Sequence, residues 1–293
     1  MENETAYLLT YNGLGDYITM IGAIKFLLKY YKRIYMLCRT SSAENVNLFF
    51  TDDQLTIIPI PPRPPEYKLN SYAHFIIEAK HCIKIINEVP DGNDIFICGT
   101  EQLSGGAIKP KITNTKLLQY EPNDREYTIK MEWNHIREFY SNIGLDLSIY
   151  YEYFDITSTV ESQQYYEDIK SHKIIFTHTK ASDHEIQIPN IISKYINDEN
   201  AIIICANKSV YPTNHPKYEL ANRCVNIPIA YYIDIIKNAS EIHVVDSCFS
   251  CIVNPLQQTN RLSATNVMIY NRVQSIKSQT KSKSNPTMKM HFV

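Results

Sequence analysis

The sequence predicts an α/β protein made of two similar halves, each a small parallel sheet layered with helices, with a cleft between them. Short apolar runs bounded by polar residues alternate with segments of helical spacing, which is the pattern of parallel βαβ units. This pattern occurs twice, on either side of a segment at residues 151–170 that is rich in Tyr and Glu. The predicted domains are therefore residues 1–150 and 151–293.

The first unit begins with a short apolar strand at Tyr7, followed by a turn with two glycines and a long helix running to about Tyr31. Gly13 and Gly15 are predicted to allow a positive φ and the close approach of another molecule. Asp16 falls in the first turn of the helix, where a carboxylate favours the exposed N–H groups. This turn has two interpretations: a ligand site with Asp16 as a general base, or an ordinary strand-to-helix connection with Asp16 as a helix cap.

Three further strands complete the first half, because compact apolar runs with polar flanks are typical of buried parallel strands. They are predicted at Arg33–Cys38, Leu55–Pro59 and Asp94–Cys98, with helices at 41–50, 71–86 and 130–143. The proline-rich segment at 59–65 lacks the N–H groups of a helix or central strand and is predicted to be an extended loop. Gly144 ends the last of these helices.

The second half repeats the pattern after residues 151–170, which are predicted to be a linker or a domain-crossing segment. Its strands are predicted at Lys173–Thr177, Ala201–Cys205, Glu241–Val245 and Asn266–Tyr270, with helices at Pro189–Tyr195, at Ile229–Asn238 and after Asp246. The Ser- and Lys-rich tail at 274–289 has no apolar period.

The composition of the chain argues against several classes of function. The chain has 44% hydrophobic and 20% charged residues, as in folded soluble proteins, and its formal net charge of -2 gives no reason to expect a nucleic acid partner. We expect no integral membrane segment and a cytoplasmic location, because no apolar run has the length of a bilayer span and the N-terminus lacks a signal peptide's basic start. Of the 7 cysteines, Cys248 and Cys251 form a C-x-x-C without the further ligands of a zinc site, so buried thiols are favoured over a redox or metal role.

Ligands of such folds bind outside the carboxyl ends of the strands. The residues at these positions are Asn12–Asp16, Arg39 and Gly99–Glu101 in the first half, and Thr177–Lys180, Asn207, Lys208 and Asp246–Ser250 in the second. The second set supplies hydroxyls, lysines and helix N-termini, which favour phosphates. The first contains an isolated carboxylate suited to base catalysis.

Two stretches near the ends of the chain resemble the ADP-heptose:lipopolysaccharide heptosyltransferase family. The first is Gly13-Leu-Gly-Asp16 with the small-residue helix Ile21-Gly-Ala-Ile24, and the second is the helix at 229–239 followed by Val244-Val-Asp-Ser247. The resemblance implies a GT-B glycosyltransferase: two Rossmann-like domains facing across a cleft, with an N-terminal acceptor domain and a C-terminal donor domain. It implies transfer of a sugar from a nucleotide-sugar to a glycan or other acceptor hydroxyl, with no cofactor and no metal.

The family's functional residues are carried over position by position. Asp16 matches the catalytic base that deprotonates the acceptor, and Asp246 and Ser247 match the donor-binding pair. The resemblance also places the hydroxyls of Thr177 and Thr179 near the diphosphate. Gly13, Gly15 and Asn207 join the predicted donor-binding residues because they follow strands, although Ala206-Asn207 replaces a glycine that is common in the family. Lys180 is assigned as the phosphate-binding lysine, with His184 as the alternative.

The sequence departs from the family pattern after Asp246-Ser247, where a glycine and a later histidine are expected and Cys248-Phe-Ser-Cys251 stands instead. We therefore keep the reaction class without assigning the sugar. The alternatives are an epimerase or hydrolase on the same scaffold, with His178 or Glu101 as a second acid–base group, and a non-catalytic nucleotide-binding or scaffold protein. The AT-biased composition suggests a viral or parasite source, and then the host cytoplasm as location.

Overall fold

The computed structural model describes residues 5–10, 13–50, 53–60, 82–98, 134–182 and 185–270. The chain forms two compact units that divide between Asp155 and Ile156, a few residues after the predicted boundary. Each is described by itself below as the N unit and the C unit. The cleft expected between the halves stays a prediction.

The N unit contains a four-stranded, wholly parallel sheet in the order β3-β2-β1-β4. The strands are β1 (Thr5–Leu9), β2 (Arg33–Arg39), β3 (Leu55–Ile60) and β4 (Asp94–Ile97). All four were predicted from their apolar runs. Pro59 is tolerated within β3 because β3 is an edge strand of the sheet and the proline is exposed.

The helices of the N unit begin with α1 (Leu14–Thr19), α2 (Ile21–Leu27) and α3 (Thr40–Leu48). Helical residues 82–87 form α4, and α5 (Asn134–Asn142) and α6 (Ser148–Glu152) follow. Gly144, just after α5, has the left-handed φ of 70° that was expected where this helix ends.

The single long opening helix predicted to run to Tyr31 is wrong, because it breaks at Met20. The hydroxyl of Tyr140 lies inside the helical ladder there, accepting from the Ala23 N–H at 3.1 Å and donating to the Thr19 carbonyl at 2.9 Å. Those two backbone groups would bond each other in a continuous helix, so an inserted side chain explains the break. Gly22 lies beside it, where a Cβ would come within 2.7 Å of the Ile149 carbonyl oxygen.

The C unit contains a second wholly parallel sheet, in the order β6-β5-β7-β8. Its strands are β5 (Lys173–His178), β6 (Ala201–Cys205), β7 (Glu241–Val245) and β8 (Asn266–Tyr270), all as predicted. Every residue of β6 and β7 is buried, as expected for strands with both faces covered.

The helices of the C unit are α7 (Val160–Glu167), α8 (Pro189–Tyr195), α9 (Tyr218–Asn222), α10 (Ile233–Asn238) and α11 (Cys248–Gln258), with a 3-10 turn at Ile229–Tyr232 before α10. The segment at 151–170, predicted to be a linker or a domain-crossing segment, contains the boundary between the two units, but it also contains the end of α6 and the whole of α7. The Thr159 side chain caps α7 by accepting from the Ser162 N–H at 3.1 Å. The short helix α9 was not predicted.

Both sheets have a point at which the strand order reverses direction. In the N unit it lies between β1 and β4, and in the C unit between β5 and β7. Such switch points are where open α/β sheets bind ligands. The turn that carries Asp16 follows β1, and the pair Asp246–Ser247 follows β7. The fold therefore places each of these sequence stretches at the switch point of its own sheet.

Candidate functional site

The turn after β1 is organised around the Asp16 carboxylate. Gly13 is the residue that precedes α1, and its N–H donates to Asp16 Oδ2 at 3.0 Å. A Cβ on Gly13 would lie 2.6 Å from that oxygen, so a larger residue would displace the carboxylate. The expected positive φ is wrong: Gly13 is extended with φ of −85°, and Gly15 lies within α1. Glycine at position 13 leaves room for the carboxylate to fold back against the backbone.

The electrostatic surroundings of Asp16 favour a proton acceptor that works near neutral pH. Burial raises the pKa of Asp16 to about 6, while the hydrogen bond from Gly13 and the positive charge of Arg39 act in the opposite direction. A carboxyl group with a pKa near the working pH accepts a proton more effectively than an ordinary aspartate. Tyr17 helps to hold Arg39 in place, since its hydroxyl accepts from the Arg39 N–H at 2.9 Å.

In the C unit, Asn207 ties the end of β6 to the end of β5. Its Oδ1 accepts from the Thr179 N–H at 2.9 Å, and its Nδ2 lies 3.1 Å from Thr179 Oγ1. Thr177 is fully buried and its hydroxyl donates to the Ile204 carbonyl at 3.4 Å. The amide of Asn207 and the hydroxyl of Thr177 are thus engaged within the protein, and their donor-binding roles stay predictions.

The Glu185 carboxylate lies near both lysines beside this edge. Lys180 is exposed, its backbone pairs with that of Glu185 in an isolated antiparallel bridge, and its positive charge helps to lower the pKa of Glu185. Glu185 also forms an ion pair with Lys208, and this contact lowers the pKa of Glu185. Thr179 Oγ1 lies 3.4 Å from the same carboxylate. An incoming phosphate would therefore compete with Glu185 for these cations, which the sequence alone did not indicate.

Asp246 and Ser247 lie at the start of α11 in a hydrogen-bonded cluster. Ser250 Oγ accepts from the Ser247 N–H at 3.0 Å and lies 3.0 Å from Asp246 Oδ1. Ser247 Oγ lies 3.1 Å from Nδ1 of His178, the last residue of β5. The fold thus brings His178 to the predicted donor-binding pair. The contact between Ser250 and Ser247 could have been predicted from the sequence, because the two residues have the three-residue spacing of a capping box.

Cys248 stands where the family pattern has a glycine. Its thiol lies beside the backbone N–H groups of Cys248 and Phe249 and beside the Ser247 side chain, and burial raises the pKa of the thiol to about 11. A thiol with that pKa is protonated at neutral pH and is a poor nucleophile. Cys248 and Cys251 are both reduced cysteines, outside any disulfide.

The remaining predictions concern two further residues, a metal site and a membrane segment. Glu101 and His184 lie outside the described residues. Within the described part of the chain, no three His, Cys, Asp or Glu side chains form a group that could hold a metal ion. None of the helices described there is long and apolar enough to cross a bilayer. The absence of a metal from the reaction stays a prediction.

Similarity to known proteins is confined to structure. No protein-family model and no curated protein sequence matches this chain. ADP-heptose LPS heptosyltransferase II from E. coli aligns with a TM-score of 0.52 and 10% identity over 93% of each chain. A glycosyl transferase family 9 protein from Veillonella parvula DSM 2008 aligns with a TM-score of 0.51 and 9% identity, over 97% of this chain and 93% of the other.

The chain shares the fold of these two glycosyltransferases. The predicted α/β class with two Rossmann-like parallel sheets is confirmed by the two four-stranded sheets and by these matches, which extend over nearly the whole chain. The comparisons give no support to a viral source. At 9–10% identity they carry the fold alone, so activity has to be argued from the residues.

Proposed function

We propose that this protein is a GT-B-type glycosyltransferase that moves a sugar from a nucleotide-sugar donor to an acceptor hydroxyl. The observation that carries the proposal is the Asp16 carboxyl group. It lies at the switch point of the N-terminal sheet of a glycosyltransferase fold, and burial raises its pKa to about 6. A base of this kind is what glycosyl transfer to a hydroxyl needs.

In the proposed reaction, Asp16 takes the proton from the acceptor hydroxyl as the oxygen attacks the anomeric carbon of the donor. The bond from that carbon to the nucleoside diphosphate breaks, and the diphosphate leaves with the bonding electrons. General-base assistance contributes about 10²–10⁴-fold to such steps. Since Gly13 donates to one carboxylate oxygen, the other oxygen is the one assigned to the acceptor proton.

The donor is assigned to the C unit, at the switch point between β5 and β7. The Lys180 and Lys208 ammonium groups, the Ser247 hydroxyl and the amide end of α11 would stabilise the departing diphosphate. The carboxylate of Asp246 supplies only acceptor oxygens and would repel a phosphate, so it suits a hydroxyl of the sugar or ribose. No metal or cofactor is assigned in this scheme.

The position of Cys248 favours the alternative function, a non-catalytic nucleotide-binding protein. Its thiol occupies the neighbourhood of the first N–H groups of α11, which the glycine of the family pattern would leave open. A protein that has lost turnover would bind nucleoside diphosphates and nucleotide-sugars yet release no diphosphate from them.

One pair of measurements separates these functions. Thermal unfolding of the full chain with a panel of nucleotide-sugars and nucleoside diphosphates detects binding, because a ligand stabilises by RT ln(1 + [L]/Kd). Release of diphosphate from the sugar that binds, with and without candidate acceptors, detects turnover. Binding with acceptor-dependent release supports the transferase, and binding without release supports the alternative. Stabilisation by none of the panel would contradict both.

A further inference from the structure

His178, the last residue of β5, is a buried histidine that contacts the residues at the start of α11. It is buried, with 8% of its surface exposed, and its ring lies 4.5 Å from that of Phe249, centroid to centroid. Its Nδ1 lies 3.1 Å from Ser247 Oγ. Since β5 and β7 are neighbours at the switch point, this contact joins the two strand ends between which the donor is assigned.

Ser247 behaves unusually for a serine that precedes a helix. A serine in this position normally accepts a backbone N–H of the first turn through its side chain. Here Ser247 Oγ makes no capping hydrogen bond, and the Ser250 N–H bonds to the Ser247 carbonyl at 3.0 Å instead. The Ser247 hydroxyl instead contacts His178 Nδ1, and it also lies beside the thiol of Cys248, the first residue of the eleven-residue helix α11.

The hydrogen-bond inventory fixes which partner must donate. Burial lowers the pKa of His178 to about 4, so the imidazole is neutral at physiological pH and carries one N–H. A serine hydroxyl has one proton, and a phosphate oxygen only accepts. Ser247 can therefore donate to a phosphate only if His178 Nδ1 carries its own proton and donates to Ser247 Oγ.

We propose that His178 is a positioning residue for donor binding: its Nδ1–H donates to Ser247 Oγ and directs the serine proton towards the diphosphate. This inference rests on the proposed function, since it assigns the diphosphate to this end of α11. It also predicts what happens without His178. The Ser247 hydroxyl turns back to cap α11, which stabilises the helix while it withdraws a donor from the ligand.

The test compares three substitutions at this position. His178→Phe keeps an aromatic ring and removes both nitrogens. His178→Asn keeps an N–H donor near the position of Nδ1, whereas His178→Gln moves the polar group towards the position of Nε2. The probes are ADP, UDP and GDP, and the one that binds the unmodified protein most tightly is titrated into each variant by calorimetry.

We expect His178→Phe to weaken binding of that diphosphate about tenfold, the loss that corresponds to one hydrogen bond to a charged group. We expect its thermal midpoint without ligand to stay equal or to rise, because Ser247 then caps α11. His178→Asn should retain affinity within about threefold, and His178→Gln should resemble His178→Phe. If His178 had only a structural role, His178→Phe would lower stability and affinity together. His178→Asn would then not restore affinity relative to His178→Gln.

The matched control is His243→Asn, at another buried histidine of the C unit whose ring nitrogens face Tyr270 and Glu241. This variant should leave the diphosphate affinity unchanged. Long-range ¹H–¹⁵N spectra of protein labelled at histidine add an independent measure, with His178 expected in the Nδ1–H form.

The outcomes separate this inference from the function on which it rests. If the unmodified protein binds none of the three diphosphates, the proposed donor site is wrong and the inference falls with it. If it binds one and His178→Phe binds equally well, the positioning role alone is overturned. An Nε2–H tautomer in the liganded protein would overturn it as well.

Discussion

Replacing Asp16 by Asn should remove transferase activity and at the same time make the folded protein more stable above pH 6. The carboxyl group has an ordinary pKa of 3.8, which burial raises to about 6 in the fold. Between these values the folded state holds a proton that the unfolded chain has released. The stability contributed by this group is therefore fully present below pH 3.8 and is lost as the pH rises through 6.

The size of the effect follows from the two pKa values. One pKa unit corresponds to about 1.36 kcal/mol, so the rise from 3.8 to about 6 corresponds to a loss of about 3 kcal/mol at pH 8. This figure is an upper bound, because Asp16 is only partly buried and solvent screens its charge. Asparagine stays neutral and its carbonyl oxygen still accepts the Gly13 N–H, so the variant avoids the loss and keeps the local hydrogen bond.

Urea unfolding of the two proteins at pH 4 and pH 8 measures this difference. The curves should nearly coincide at pH 4, and the Asp16→Asn variant should be the more stable protein at pH 8. Asp91→Asn, at an exposed aspartate of the same unit, reports the effect of losing one surface charge. A stability difference between Asp16→Asn and the unmodified protein that is the same at both pH values would refute the buried-carboxyl explanation.

Activity supplies the second half of this prediction. The kcat/KM of the unmodified enzyme should fall as the pH drops below about 6, since a protonated carboxyl cannot accept the acceptor's proton. Asp16→Asn should show no turnover at any pH and an unchanged Kd for the donor. Full turnover in this variant would remove Asp16 from the role of base.

Three further substitutions test other contacts. Tyr140→Phe should destabilise the protein by about 1–3 kcal/mol in urea unfolding, because it leaves two buried backbone groups at the helix break without a partner; an unchanged midpoint would contradict the insertion. Asp246→Ala should raise the donor Kd with little change in stability, and an unchanged Kd would show that the donor assignment is misplaced. Glu185→Gln should tighten binding of nucleoside diphosphates by at most about fivefold, since it releases Lys208 from an exposed ion pair, and weaker binding would mean that Glu185 serves the ligand.

The strands were predictable because they depend on local sequence. A parallel strand that is buried on both faces needs an unbroken apolar run, and runs such as that of β6 (Ala201–Cys205) are visible without knowledge of any neighbour. The positions of the strand ends then followed, and with them the residues to inspect for a ligand. The helix break at Met20 was not predictable, because the hydroxyl that causes it belongs to Tyr140, more than a hundred positions further along the chain.

The candidate site was likewise predictable only where it depends on local sequence. The carboxylate of Asp16 was identified from a four-residue motif, yet the positive φ expected at the glycine before it was wrong, since Gly13 is extended and leaves room for that carboxylate. His178 was weighed only as an acid–base group. Its contact with Ser247 crosses from one strand end to another, 69 positions apart, and no local pattern encodes such a pair.

These contacts bear on how the proposed donor site would work where the sequence departs from the heptosyltransferase pattern. A glycine after the Asp-Ser pair would let a phosphate approach the amide groups of α11 directly, and the thiol of Cys248 now occupies that neighbourhood. Under the proposed function, recognition of the donor would then depend more on side chains, each of which needs a defined orientation. Ser247 is held by His178, and Thr179 is held by Asn207. A site that has exchanged backbone contacts for oriented hydroxyls should lose affinity when a supporting residue is replaced, even though that residue does not touch the ligand.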